Sequence, residues 1–351
     1  MKSLELLTII FFIELAILVI GGLMISLLNI WLRLQQNKQR KIKSRVFEKV
    51  FSYLFSSEHR TDFGLVLSKE ELKISILIGI IEEINQKIDD GNWKKLRAAF
   101  LDKYLRQWAY RHYKSIFWMK RNYAARILMQ DPLPEEEKYI LKLMNDSVLL
   151  VRIHIIIAAQ KLATGNCFRK ILAEFVKDKG FSSYIYRDAF LTAGQKSFIF
   201  LRTELLSNPP EPVKIICLEM LSNWVFEKLE YDLNPDINSD NPELRYSALK
   251  CYVVNPDDKL SAVLIKSLSD ENWKIRGFCA YKLGELKIKQ AIPYLLKSIQ
   301  DRVWWVRLNS AIGLKLLDQD GLYALKNIDP DIDHYAYEMS QYILAMPSEV
   351  V

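Results

Sequence analysis

From Asp270 to Leu317 the chain says nearly the same thing twice, 31 residues apart: Asp270, Trp273, Arg276, Cys279-Ala280, Leu283 and then Asp301, Trp304, Arg307, Ser310-Ala311, Leu314. A fixed period between 20 and 50 residues marks stacked supersecondary units, each unable to bury its apolar face alone. Stepping by 31 in both directions gives a cation column of Arg121, Arg152, Ser183, Lys214, Arg245, Arg276 and Arg307. Six residues earlier stand Ser115, Asp146, Lys177, Asn208, Ser239, Asp270 and Asp301, six of them residues suited to capping a helix start. Three residues after the cation the column is mostly small: Ala124, Ile155, Tyr186, Cys217, Ala248, Cys279, Ser310. Seven after it come Leu128, Ala159, Phe190, Leu221, Tyr252, Leu283 and Leu314, all apolar or aromatic. One unit, around Ser183, is degenerate. The regularity predicts helix pairs, with an Asp/Arg ladder of Asp146, Arg152, Lys214, Arg245, Asp270, Arg276, Asp301 and Arg307 whose role is structural: each Asp caps its helix and each cation bridges to the neighbouring unit.

These residues resemble the HEAT repeat family, including its bacterial HEAT-like, PBS-lyase-type branch. The family pattern is an apolar helix with an early proline, then Asp, then Val-Arg, then small residues. It reads here as Ala291-Ile292-Pro293, Asp301, Val306-Arg307 and Ser310-Ala311. The match is strongest over 240–317 and weakest over 165–195. The resemblance implies an all-α fold, a right-handed α-solenoid of helix pairs, and a scaffold whose ladder carries no catalytic residue. It also suggests a partner class, since some membrane-anchored relatives accompany envelope-polysaccharide glycosyltransferases.

Ahead of the repeats, Leu6–Leu32 is apolar except for Thr8, Glu14, Ser26 and Asn29. About 20 such residues cross a bilayer, so the run is read as a transmembrane helix. It is too long, and too poor in N-terminal cations, for a cleaved signal peptide. Between residues 33 and 49 stand Arg33, Lys38, Arg40, Lys41, Lys43, Arg45 and Lys49 against Glu48 alone, which accounts for most of the net charge of +7. That cluster invites anionic headgroups. By the positive-inside rule it puts the N-terminus outside and the repeats in the cytoplasm, and the resemblance to the bacterial branch implies that the membrane is a bacterial inner membrane. Within the run, Glu14 and the small pair Gly22/Ser26 either face a second membrane helix or, for Glu14, sit at the outer interface.

The expected organisation is an external 1–5, a membrane helix over 6–32, a basic juxtamembrane segment with an amphipathic helix over 33–64, first solenoid helices over 65–114, period-31 repeats over 115–317 and capping helices over 318–351. The 46–64 helix either lies on the membrane or closes the first repeat. Ser68 and Glu71 form a capping-box pattern ahead of Leu72–Ile88, and a long helix is expected from Trp93 to Tyr113. Over 103–126, seven cations and no acid interleave with aromatics, Arg106, Trp108, Arg111 and Trp118 among them. Either the aromatics are core and the cations the wet face, or the stretch binds single-stranded nucleic acid, a protein partner or headgroups, with the tether favouring the last two.

No phosphate-cradling loop, nucleophile triad or zinc spacing is visible, the four cysteines are widely spaced, and Glu58-His59 stands in the wrong order for an iron-binding His-Glu pair. His154 reads as a packed core histidine. No cofactor or enzyme activity is expected. The expected function is a non-catalytic membrane-anchored scaffold for a protein partner. The alternative is a HEAT-like protein acting on nucleic acid or a bilin, which the localised basic charge disfavours. Function is expected where the ladder is absent: 103–126, the degenerate 165–195 and the tether.

Overall fold

The computed structural model of the protein describes residues 2–55, 65–178, 180, 183–224 and 229–347, with side chains at 14 and from 17 onward. Every regular element among them is helical, and the chain divides into two units, residues 1–162 and 163–351.

The first unit holds α1 (Lys2–Phe55), α2 (Ile74–Asn85), α3 (Gly91–Tyr104), α4 (Arg106–His112), α5 (Trp118–Leu128), α6 (Glu137–Leu143) and α7 (Leu149–Leu162). α1 runs unbroken for 54 residues. Its last turns are built into the unit: Ile42, Val46 and Val50, one helical stripe at i, i+4, i+8, are at most 3% exposed and join Leu77, Ile80, Ile81 and Ile84 of α2 and Trp93 and Phe100 of α3 in one core. The far part of the 46–64 stretch and the Glu58-His59 pair lie outside the described residues.

Two local expectations are corrected. Ser68 and Glu71 do not open a helix; they close a single turn, with the Ser68 N–H donating to Glu71 Oε2 at 2.7 Å, and α2 starts at Ile74. Glu71 is buried and is consumed by Lys49 of α1, whose Nζ lies 2.9 Å from both carboxylate oxygens. The helix expected from Trp93 to Tyr113 breaks at Leu105, where φ opens to −120° and α4 sets off with Arg106 turned into the interior.

The second unit holds α8 (Gly165–Lys177), α9 (Ser183–Ala193), α10 (Gln195–Leu206), α11 (Glu211–Leu221), α12 (Asn234–Ile237), α13 (Pro242–Val254), α14 (Leu260–Ser267), α15 (Trp273–Glu285), α16 (Ile292–Ser298), α17 (Trp304–Leu316), α18 (Asp318–Lys326) and α19 (His334–Ala345). α11, α13, α15, α17 and α19 pack in succession as one layer, and α14, α16 and α18 lie against that layer as a second. The repeat columns explain why. All seven residues of the small column and all seven of the apolar column are buried, including Tyr186 and Phe190 of the degenerate unit. Small residues let the helices of the first layer cross closely. At α15/α17 the contact is backbone to backbone: a Cβ placed on Gly284 would run into the Gly313 carbonyl, and one on Gly313 into the Ala280 carbonyl.

Candidate functional site

The ladder holds the repeats together by a geometry the sequence only half disclosed. The aspartates are not helix caps. Asp270 Oδ1 accepts from the Asn272 N–H at 2.8 Å, and Asn272 then caps α15; Asp146 and Asp301 accept likewise from Val148 and Val303, at 2.9 and 2.8 Å. Each carboxylate thus fixes an Asx turn in the loop before its helix. Its two oxygens also receive the guanidinium fork of the preceding unit: Arg121 on Asp146, Arg245 on Asp270 (2.8 and 2.9 Å), Arg276 on Asp301 (2.7 and 2.9 Å). Each arginine's remaining nitrogen reaches back to its own loop, Arg276 Nη1 to the Asp270 and Glu271 carbonyls at 2.8 and 2.9 Å. Lys214 finds its acid early, at Asp236 of α12, 3.5 Å away. Arg152 and Arg307 bind their own loop carbonyls at 2.7 and 2.9 Å but lack a following aspartate, since Lys177 and Ile332 stand there. Every ladder group is therefore turned to a neighbouring unit or to its own loop.

Burial alone would raise the Asp301 carboxyl, and it is the largest single influence. The Arg276 fork and the Val303 N–H outweigh it and hold the group below the usual carboxylate range; Arg121 and Val148 do the same for Asp146. Because the folded-state values are depressed, this stabilisation is complete above the ordinary value of 3.8 and drains away as pH falls below it. The melting temperature should therefore fall as pH is lowered from about 4 to about 2, and less steeply in Asp301→Asn. Asp270→Ala removes three charge-assisted bonds and should cost about 2–3 kcal/mol in denaturant titrations, with partner recovery unchanged. Lost recovery by a normally folded variant would refute the structural assignment.

The basic aromatic stretch divides in two. Arg106 is 4% exposed, its Nη1 2.7 Å from the fully buried Glu136 and its Nη2 2.8 Å from the Asp131 carbonyl. Arg121 and Arg126 pair with Asp146 and Glu82. Trp108 is half-buried, stacked on His112 with centroids 4.1 Å apart. Arg106, expected on either a wet face or a partner surface, is instead interior, because acids distant in sequence neutralise the run. The other part is a surface. From the end of α4 to the start of α5, Arg111, Lys114 and Lys120 are exposed and no ion pair engages them among the described residues. Between them Ile116, Phe117, Trp118 and Met119 are 86, 58, 44 and 57% exposed. Four consecutive large apolar side chains in the open, flanked by cations, form a patch suited to contact rather than to solvent.

The tether divides similarly. Lys38, Lys43 and Lys49 face Glu70, Glu83 and Glu71 at 3.7, 2.8 and 2.9 Å. Arg33, Arg40, Lys41 and Arg45 stay exposed, leaving four cations of the seven for an outside partner. At about 100° per residue, Gly22 and Ser26 share a face with Arg33 and Arg40, while Glu14 lies about 80–120° round the helix. Glu14 and the Gly22/Ser26 pair therefore cannot be centred on one contact. All of Glu14, Gly22 and Ser26 are exposed. So are the large apolar side chains from Ile17 to Leu34, at 40–72%, in a segment whose most apolar part has mean hydropathy 2.0 and is wholly unburied.

The four cysteines are buried and free, and burial pushes the Cys217 and Cys251 thiols up to about 12. His154 is held below its usual value by burial and by Arg126, and its Nδ1 lies 2.9 Å from Asn122 Oδ1. Among the described residues no group of three His, Cys, Asp or Glu side chains could hold a metal ion.

Residues 261–329, spanning α14 to α18, match the family described as HEAT repeats. This segment carries HEAT repeats. No curated protein matches the chain. Among solved structures, an engineered protein is similar at 15% identity and a TM-score of 0.33, over 85% of this chain and 98% of its own. Kap121p bound to RanGTP is similar at 12% identity and a TM-score of 0.35, over 86% of this chain, and Kap121p bound to Ste12p at 11% and 0.34, over 88%. This chain spans 42% and 45% of those two chains. At such scores no residue and no partner transfers from them.

Proposed function

We propose that the protein is a non-catalytic HEAT-repeat scaffold, anchored by the apolar half of α1 in a bacterial inner membrane, that holds a protein partner at the cytoplasmic face. The observation that carries this reading is the state of α1. Among the described residues its large apolar side chains from Ile17 to Leu34 stay exposed, and leaving them in water costs on the order of 1.5 kcal/mol or more apiece. Its basic half continues without a break into the core of the first unit. From Leu32 to Ile42 the helix rises about 15 Å, so the unit would be carried on a stiff stalk rather than on a flexible linker. Arg33 is then the cation nearest the headgroups, and Arg40, Lys41 and Arg45 lie farther out than a Debye length of about 8 Å. They suit an acidic protein surface alongside the stalk. The partner is a protein with its own membrane helix, a class that includes envelope-polysaccharide glycosyltransferases. It has three surfaces to meet: the Gly22/Ser26 face in the bilayer, the stalk cations Arg40, Lys41 and Arg45, and the Arg111–Lys120 patch.

The test is membrane extraction followed by affinity purification. A chain lacking residues 1–32 keeps the packed stripe of Ile42, Val46 and Val50. The full chain should stay in the membrane fraction through alkaline carbonate and recover a membrane protein after detergent solubilisation, and the shortened chain should be soluble and recover less of it. Release of the full chain by carbonate would overturn the anchor. Equal recovery by both forms would confine the interaction to the helical units.

A further inference from the structure

The second unit carries a groove that the ladder does not use. It has a volume of 480 Å³ and lies between α16, α18 and the 328–333 loop. Its floor is Leu296, Ile299, Ala324 and Ile328, and Tyr323 and Ile332 stand at its edge 72% and 75% exposed. Ile332 occupies the position 31 residues after Asp301, where an interior unit would place its rung aspartate. The repeat thus ends by replacing a loop-fixing carboxylate with an exposed apolar side chain beside an open apolar groove.

The rim carries one sign of charge. Asp329 and Asp333 line the groove and Asp331 stands between them in the loop, with no ion pair among the described residues, although Asp329 accepts from the Asp331 N–H at 2.9 Å and Asp333 caps α19 through the Ala336 N–H at 3.0 Å. The neighbouring Asp318 and Asp320 are each held by a lysine of the preceding turn, Lys287 and Lys289, at 2.8 Å. From residue 318 to 338 there are six acids and one lysine. Such a rim repels lipid headgroups and nucleic acid and attracts cations, and the apolar floor rewards burial of an aliphatic or aromatic side chain.

We propose that this groove docks a basic amphipathic segment of a protein partner, with its apolar side chains on Leu296, Ile299, Ala324 and Ile328 and its Lys or Arg side chains against Asp329, Asp331 and Asp333. The assignment rests on the scaffold reading and names one contact that the scaffold makes. An amphipathic helix laid in a groove reads out as apolar anchors at i, i+3 or i+4 and i+7, with the charges on the flanks.

The probe is a fluorescent helical peptide with leucine on one face and lysine on the other, titrated into the full chain in detergent micelles and followed by anisotropy. A matched peptide with glutamate for every lysine serves as control. Two variants test the site: Ala324→Trp, which fills the floor, and Asp329→Lys with Asp331→Lys, which inverts the rim and spares the cap at Asp333. The lysine peptide should bind the native chain, bind each variant at least about tenfold more weakly, and outbind the glutamate peptide. Unaltered helical content and melting of the variants keep the comparison clean. Failure of the lysine peptide to bind, equal binding to native and variant chains, or equal binding of the glutamate peptide overturns the groove assignment. The scaffold reading is separated by membrane purification: native and rim-inverted chains that recover the same partner leave the scaffold standing without the groove, and a native chain that recovers none removes both.

Discussion

Glu136→Ala should unfold the first unit more readily than any surface change, by about 3–5 kcal/mol. Glu136 is fully buried, and its Oε1 accepts from Arg106 Nη1 at 2.7 Å and from the Tyr110 hydroxyl at 2.6 Å. Its Oε2 accepts from the Leu133 N–H at 2.8 Å, fixing the turn ahead of α6. Burial and the carboxylate together push the Tyr110 phenol well above its ordinary value, so it stays a donor. Removing the carboxylate strands a buried guanidinium, a phenol and a backbone N–H at once. Arg106 would keep only Asp102 and the Asp131 groups at its edge. Hydrogen exchange over α4 and α6 is the suitable readout, because two units need not unfold together. The pair change Arg106→Met with Glu136→Leu should cost much less than Glu136→Ala, since no charge is left unpaired. A Glu136→Ala chain with native protection over α4 would show that the network is ornamental.

That network also marks where reading the sequence stopped working. The ladder was legible because its residues recur at one spacing and answer to one local geometry, so seven weak matches reinforce each other. Glu136 stood in an acidic triplet, Glu135 to Glu137, that reads equally well as a favourable charge at a helix N-terminus. Nothing in the triplet says that its middle member turns inward to an arginine 30 residues earlier. The same blindness made 103–126 look uniformly basic, since its acids lie at 82, 136 and 146. In the tether it hid the lysines that answer to Glu70, Glu71 and Glu83. Period exposes repetition, and it is silent about partners brought together by folding. The aspartate column shows a subtler limit: the residue type suited a cap, and the structure uses it two residues too early to be one. The apolar groove beside Ile332 was invisible for a plainer reason, because it is a gap between elements and no residue type spells a gap.

Glycine gives the sharpest contrast between local propensity and packing. In an isolated helix, glycine to alanine gains up to about 1 kcal/mol, because alanine loses less backbone entropy. At Gly79 of α2 nothing lies within 4 Å of an added Cβ, so Gly79→Ala should stabilise the first unit by about 0.4–1 kcal/mol. Gly284 and Gly313 are helical too, yet an added methyl meets backbone atoms of the facing helix, which cannot swing aside as a side chain can. Parting α15 from α17 would also loosen Cys279, Ala280, Leu283 and Leu314, all fully buried along the same crossing. Overpacking of this kind costs about 1–3 kcal/mol and exceeds the propensity gain, so Gly284→Ala and Gly313→Ala should each destabilise the repeats. The ladder would feel the same displacement, because Arg276 on α15 must reach Asp301 in the loop before α17. In the two variants the acid-induced loss of stability should therefore shrink along with the melting temperature. A Gly313→Ala chain that melts at or above the parent would mean that the helices slide apart freely, and that the close crossing does not set the register of the ladder.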